Sequence, residues 1–401
     1  MADDPTPLPV YEIHWLRLFP WLRIFRAPGS AADSKKLVLC MLGLFLMWAG
    51  WQSLDLIFPS SSGITPEVFE PREPIGPDTL SMVPWWLTEP ARLLTAPFFA
   101  TLDESSENGR GAFLHAILAA VWTLIVWGLI GGAVARIAVV EIFKGERVEL
   151  WDAIHFARRK AVPLVGSPLI SVLGIILVAA FLAGFGLLYR IPKGPVAAGA
   201  LAFLPLAGGL ILALIVIGLA VSWPLMPASV AAEAEDGFDA LSRSYAYVKQ
   251  RPWNLLWYVA VAFTAGSVGL VFVDVFAHLV VHLAAWGLSF GGPVKVVNAL
   301  YRGEEPDVSS TVLQLHAFWL GVVATLVRAW IYSMFWTSAG VIYVLLRKDV
   351  DGKPYSMIAM DPMREAAEKA KSVPTPAGSS AARSPHSKLG AEEADTIGQG
   401  E

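Results

Sequence analysis

The sequence predicts an all-α fold, a polytopic membrane helix bundle of about six transmembrane helices, and three observations predict it. Hydrophobic residues make up 55% of the 401 and charged residues 16%, with a mean hydropathy of +0.55; a soluble domain carries about 25% charge. Six apolar runs are long enough to cross about 30 Å of hydrocarbon, which takes roughly 20 helical residues. Lys and Arg gather on alternate sides of those runs. The formal net charge of −4 points to no nucleic-acid partner.

Residues 1–36 read as a cytoplasmic interfacial amphipathic segment. Trp15 and Trp21 alternate with Arg17 and Arg23, so aromatic rings can sink into the headgroup boundary while guanidinium groups meet phosphates. The transmembrane domain follows over 37–352, with runs at 37–58, 112–135, 164–189, 196–226, 255–290 and 312–346. The last two exceed one crossing and imply a span with an outer continuation. Pro205, with Gly208 and Gly209 after it, predicts a kink in the fourth run. Gly128 and Gly132 offer a small face for helix packing. Trp48, Trp51, Trp85, Trp86, Trp151, Trp223, Trp253 and Trp257 fall at predicted borders, as an aromatic belt requires. Cys40, the single cysteine, leaves no intrachain disulfide to form.

Lys and Arg are dense before the first run, between the second and third, between the fourth and fifth, and after the sixth. By the positive-inside rule both termini face the cytoplasm of a cytoplasmic (inner) membrane. Arg136 and Glu141 are expected to snorkel to headgroups. The outer loop 59–111 is acidic and proline-rich, which argues against a packed outer domain, and its part from Trp85 to Leu102 is expected to lie on the membrane surface. The tail, 353–401, turns to Ala, Ser, Pro and charge and is expected to be disordered.

Two cytoplasm-facing connections carry matching text. Trp151-Asp152-Ala153 recurs 87 positions later as Phe238-Asp239-Ala240. A carboxylate suits the first turn of a helix, so Asp152 and Asp239 predict two short elbow helices, the second also carrying Arg243 and Arg251. The match implies an internal two-helix parallel repeat, 112–189 and 201–276, with its elbows side by side under a four-helix core. The stretch from Phe238 to Trp253, and the close Ile342-Tyr343 through Arg347, Asp349 and Asp351 to Gly352, resemble a loosely defined group of bacterial multi-pass proteins. That group includes the membrane domain attached to some glycerophosphodiester phosphodiesterases. The resemblance implies the membrane fold; nothing in this chain is similar to the catalytic domain, so that activity is not carried over.

Ionisable groups inside a membrane are functional candidates because each is costly unless paired. Asp274, His278 and His282 are spaced as one helical stripe, and Arg328 and His316 fall at similar depth in the sixth run. The spacing suggests an Asp274–Arg328 ion pair with an outer-side cluster of His278, His282 and His316; the alternative is a divalent metal held by the histidines. No Walker A, HExxH, CxxC or GxSxG pattern is present, so neither catalysis nor a cofactor is expected. The expectation is a non-catalytic protein that organises a membrane partner or lipid through its elbows, with membrane lipids, a membrane protein or a second copy as partners. The competing readings are a transporter or channel component with a polar site between the repeats, and an intramembrane enzyme.

Overall fold

Backbone amides in hydrocarbon have no water to pair with, so each apolar run closes its own hydrogen bonds as a helix. In a computed structural model six helices are long and apolar enough to cross a membrane, and the chain is a multi-pass membrane protein. They are span 1 (Ser34–Ile57), span 2 (Gly109–Lys144), span 3 (Ala161–Gly186), span 4 (Phe203–Ser222), span 5 (Pro252–Leu288) and span 6 (Ser310–Asp351). The structure describes residues 15–59, 66–69, 75–102, 109–302, 309–355 and 357–359, all within the unit Met1–Ala359. No strand occurs among them. One end of the bundle carries the two elbows, Leu150–Arg159 and Gly237–Gln250 (the elbow face); the other is the loop face.

Lipid tails are as apolar as leucine, so close van der Waals packing and interhelical hydrogen bonds hold such a bundle together. Span 1 lies antiparallel on span 2. Trp51 Nε1 donates to Thr123 Oγ1 at 3.2 Å and Trp122 Nε1 to the Leu46 carbonyl at 2.9 Å. Trp127 stacks on Tyr332 of span 6 with centroids 4.7 Å apart. Glycine marks the closest approaches. A Cβ on Gly131 would stand 2.4 Å from the Trp336 ring, and one on Gly132 would stand 2.5 Å from Leu164. The Gly128/Gly132 face therefore packs on span 3 of the same chain. Trp51, Trp86, Trp127, Trp330 and Trp336 are buried, so tryptophan builds core here; the border reading of Trp51 and Trp86 is corrected.

The fourth run divides into helices Gly194–Ala200, Phe203–Ser222 and Leu225–Glu233. Pro205 sits in the first turn of span 4, where no intrahelical N–H is lost, and the break comes instead at Trp223–Pro224. Spans 5 and 6 are single helices of 37 and 42 residues, about 55 and 63 Å long at 1.5 Å per residue. Spans 3 and 4 form a hairpin that packs at its root on the second elbow, with Leu177, Leu206 and Leu210 facing outward.

Two flanks expected on the membrane surface instead enter the bundle. From the elbow face, the turn Pro20–Arg26 and the short helix Ala27–Ala31 run along span 5. The path starts with Trp21 against Trp257, centroids 5.6 Å apart, and reaches Pro28 beside Gly269. Trp330 Nε1 donates to the Pro28 carbonyl at 3.3 Å and Ser333 Oγ to the Ala31 carbonyl at 2.8 Å. From the loop face, Val83–Leu87 descends until Leu87 rests on Gly266. Ala27, Ala31, Val83, Trp86, Leu270, Trp330 and Met334 share one buried cluster. Small residues fit the gap between spans 5 and 6, and span 6 side chains satisfy carbonyls that lipid could not. Trp15, Phe19 and Phe25 keep an anchor's exposure among the described residues of this segment. Trp21 is half-buried, Arg23 donates to the Leu16 carbonyl and lies 4.2 Å from the Tyr355 ring, and the Arg17 side chain falls outside the described residues.

Candidate functional site

Both elbows begin after an extended residue, Glu149 and Asp236. The Asp236 side chain caps the second elbow, accepting from Asp239 N–H at 2.9 Å, so Asp239 sits in the first turn without being the cap. Asp152 occupies the same position in the first elbow. At the 87-residue offset Ala153 and Ala240 are both buried, as are Ala157 and Ser244, while Trp151 and Phe238 are 64% and 66% exposed. The elbows are not side by side. Lys160, closing the first, donates to the Ala234 carbonyl, and Gly237, opening the second, packs against Pro163 and Ser167 of span 3. They follow one another around the root of that span because the second elbow packs on span 3 itself.

A polar network fixes this arrangement, centred on Glu233. Ala234, left-handed at φ 54°, ends the helix before it and turns Glu233 inward. Glu233 Oε2 meets Arg243 Nη1 at 2.6 Å and Lys353 Nζ at 2.8 Å, and its Oε1 meets Arg347 Nη1 at 3.4 Å. Tyr343 donates to the same carboxylate while accepting from Ser229. The other Arg243 nitrogen holds Glu235 at 2.7 Å. Arg347 further donates to the carbonyls of Met357 and Pro354. Tyr247 donates to Asp351, and Asn254 and Tyr258 donate to Asp349, which ties span 5 and the second elbow to the end of span 6.

Burial opposes ionisation of Glu233, but hydrogen bonds from Glu235 and Lys353 and the charges of Arg243 and Lys353 hold its carboxyl well below the usual range. Burial, then the neighbouring Glu233 carboxylate, pushes Glu235 up to about 8.

The first residues of the tail join this network. Residues 353–355 and 357–359 dock on the elbow face: Ala359 N–H donates to Ala232 O at 2.9 Å, and Tyr355 stacks on Phe143. The boundary of disorder expected at 353 is corrected to that extent, because Lys353 finds Glu233; residues 360–401 lie outside the described residues. Arg136, expected at headgroups, is buried and donates to the carbonyls of Ala231 and Ala359. Glu141 pairs with fully buried Lys36 at 2.7 Å and accepts from Ser30.

The polar residues nearer the loop face are distributed otherwise than expected. Arg328 Nε pairs with Glu89 Oε1 at 3.0 Å, and Asp274 accepts from Ile75 N–H at 2.9 Å and lies 3.1 Å from His278 Nδ1. The Asp274–Arg328 pair is thus replaced, because the dipping loop segment brings each residue another partner. His278 and His316 bond to carbonyls of their own helices, and His282 is exposed. The histidine cluster does not assemble, and no group of three His, Cys, Asp or Glu side chains suited to a metal forms among the described residues.

Among the predicted residues the structure brings Arg243 into the network, while Arg251 stands exposed as the cap of span 5. Sequence reasoning assigned no role to Glu233, Glu235, Arg347 or Lys353. Their only signal was acidic text before one elbow and basic text after the last span. Compared with family models, with curated proteins and with solved structures, the chain matches none.

Proposed function

We propose that this chain is a non-catalytic organiser of a bacterial-type cytoplasmic membrane, with both termini cytoplasmic, which binds a membrane partner or lipid through its elbows. One observation carries the reading: at equivalent register, each elbow turns a large aromatic side chain, Trp151 or Phe238, away from its own fold. The Glu233 network supports it by making the elbow face a stiff platform. Purifying the full chain in mild detergent, with mass spectrometry of everything bound, tests it. A stoichiometric protein or lipid should be retained by the parent and lost from a Trp151→Ser/Phe238→Ser variant of unchanged thermal stability. Retention by that variant would remove the elbows as the docking surface.

A transporter is the second reading, favoured by the meeting of Ala27–Ala31 and Val83–Leu87 inside the bundle. It requires water to reach that junction from at least one face. In a Cys40→Ser background, Ala31→Cys labelled by a membrane-impermeant maleimide would support transport over organisation.

A further inference from the structure

On the loop face, away from the elbows, the end of span 1 and residues 66–69 border a partly open cavity of about 310 Å³ lined by Trp48, Trp51, Gln52, Asp55, Glu67 and Phe69 among others. We infer that this cavity is a binding site for a small organic ammonium ion.

The walls combine the two elements such a cation needs. Asp55 and Glu67 supply negative charge, and Trp48, Trp51 and Phe69 supply aromatic rings whose quadrupoles attract cations. The aromatic element is held in place. Trp51 is 2% exposed and held by Thr123. Trp48 and Phe69 hold one another, with centroids 6.1 Å apart. Behind the cavity His115, wholly buried, places Nε2 3.0 Å from Asp55 Oδ1 and meets the Phe58 ring edge-on. Asp55 thus lies beside a buried imidazole, and Asp55 Oδ1 and both His115 ring nitrogens have no hydrogen-bond partner among the described residues. The volume is at the low end for ligand pockets, about 300–1,000 Å³, and suits a headgroup-sized cation. A divalent metal is a poorer fit, since two carboxylates beside indole rings offer too few oxygen ligands for a hard cation. The ammonium could belong to a free amine or to a phosphatidylethanolamine headgroup.

The test uses the full-length protein in a detergent without ammonium groups, titrated with tetramethylammonium chloride against sodium chloride of equal ionic strength, and reads tryptophan fluorescence and heat. Saturable binding of tetramethylammonium alone is expected, weakened about fivefold or more by Glu67→Gln and by Trp48→Leu, as loss of a charge or a cation–π contact predicts. Both residues are at the cavity rim, so these variants should fold even where Asp55→Asn, which abandons buried His115, does not. No saturable binding, or equal binding by both variants, overturns the inference. Repeating the titration in phosphatidylethanolamine and in phosphatidylglycerol nanodiscs separates the sources. Suppression only by phosphatidylethanolamine identifies a headgroup site, and equal binding in both identifies a free amine.

Discussion

At the scale of single residues, one carboxylate holds most of the elbow face. Glu233 faces Arg243, Lys353 and Arg347, and the Arg347 side chain is 1% exposed. Removing one partner from a buried ion pair costs about 3–5 kcal/mol, because the remaining charge stays desolvated. Glu233→Gln should therefore lower the thermal midpoint in detergent sharply, whereas Arg158→Gln on the exposed side of the first elbow should change stability by no more than about 0.5 kcal/mol. Equal midpoints would show that the network carries no stability. Glu235 adds a pH dependence of known sign. Its carboxyl is raised in the fold to about 8, so its contribution is complete below the unfolded value near 4.3 and is lost as pH climbs through the folded one. The midpoint should fall as pH rises from about 5 to 8 and level off above, and Glu235→Gln should flatten that fall. Lowered Glu233 acts oppositely, losing its contribution only on strong acidification. Little of this was legible in the sequence. Glu233 and Arg347 lie 114 positions apart, and no local pattern says that two such residues meet. Arg136 misled for a related reason, since a cation near a helix end reads the same whether it reaches water or a buried carbonyl.

At the scale of elements, periodicity and length revealed what crosses the membrane and concealed what only dips into it. A crossing helix writes about 20 apolar residues into the sequence. Ala27–Ala31 and Val83–Leu87 each have 5, too few to stand out from an amphipathic surface segment. The depth of the first is set by Trp330 and Ser333, residues of another helix. Ser333→Ala leaves the Ala31 carbonyl without its donor, a loss of about 1–3 kcal/mol for a buried acceptor. The expected outcome is a lower thermal midpoint together with faster proteolysis near residue 32; unchanged proteolysis would mean that the segment is held by other contacts. Gly131→Val drives a side chain into Trp336, 2.4 Å from the would-be Cβ, and overpacking of this kind typically costs 1–3 kcal/mol. Here the sequence was a fair guide, since a Gly-rich run in span 2 did mark a helix contact, though not its partner.

At the scale of the whole molecule, the six-span fold followed from composition and run length. The Lys and Arg asymmetry sets the proposed orientation, and it is checked directly. In a Cys40→Ser background, Arg158→Cys on the elbow face should be labelled only from the cytoplasmic side and Asp78→Cys on the loop face only from the opposite side. Reversed labelling would invert the orientation. The matched elbows were readable as text, but their arrangement was not, because it depends on where the spans 3–4 hairpin is rooted.

The long-range seat of the N-terminal segment has a consequence for biosynthesis. Ala31 and its donor Ser333 are 302 positions apart, and at about 5–20 residues per second the ribosome needs roughly 15–60 s to cover that distance. Throughout that interval the earliest-made part of the bundle has no partner for its carbonyls. This segment is thus made long before its span 6 partners, and a chain truncated before span 6 should remain open to protease near residue 31.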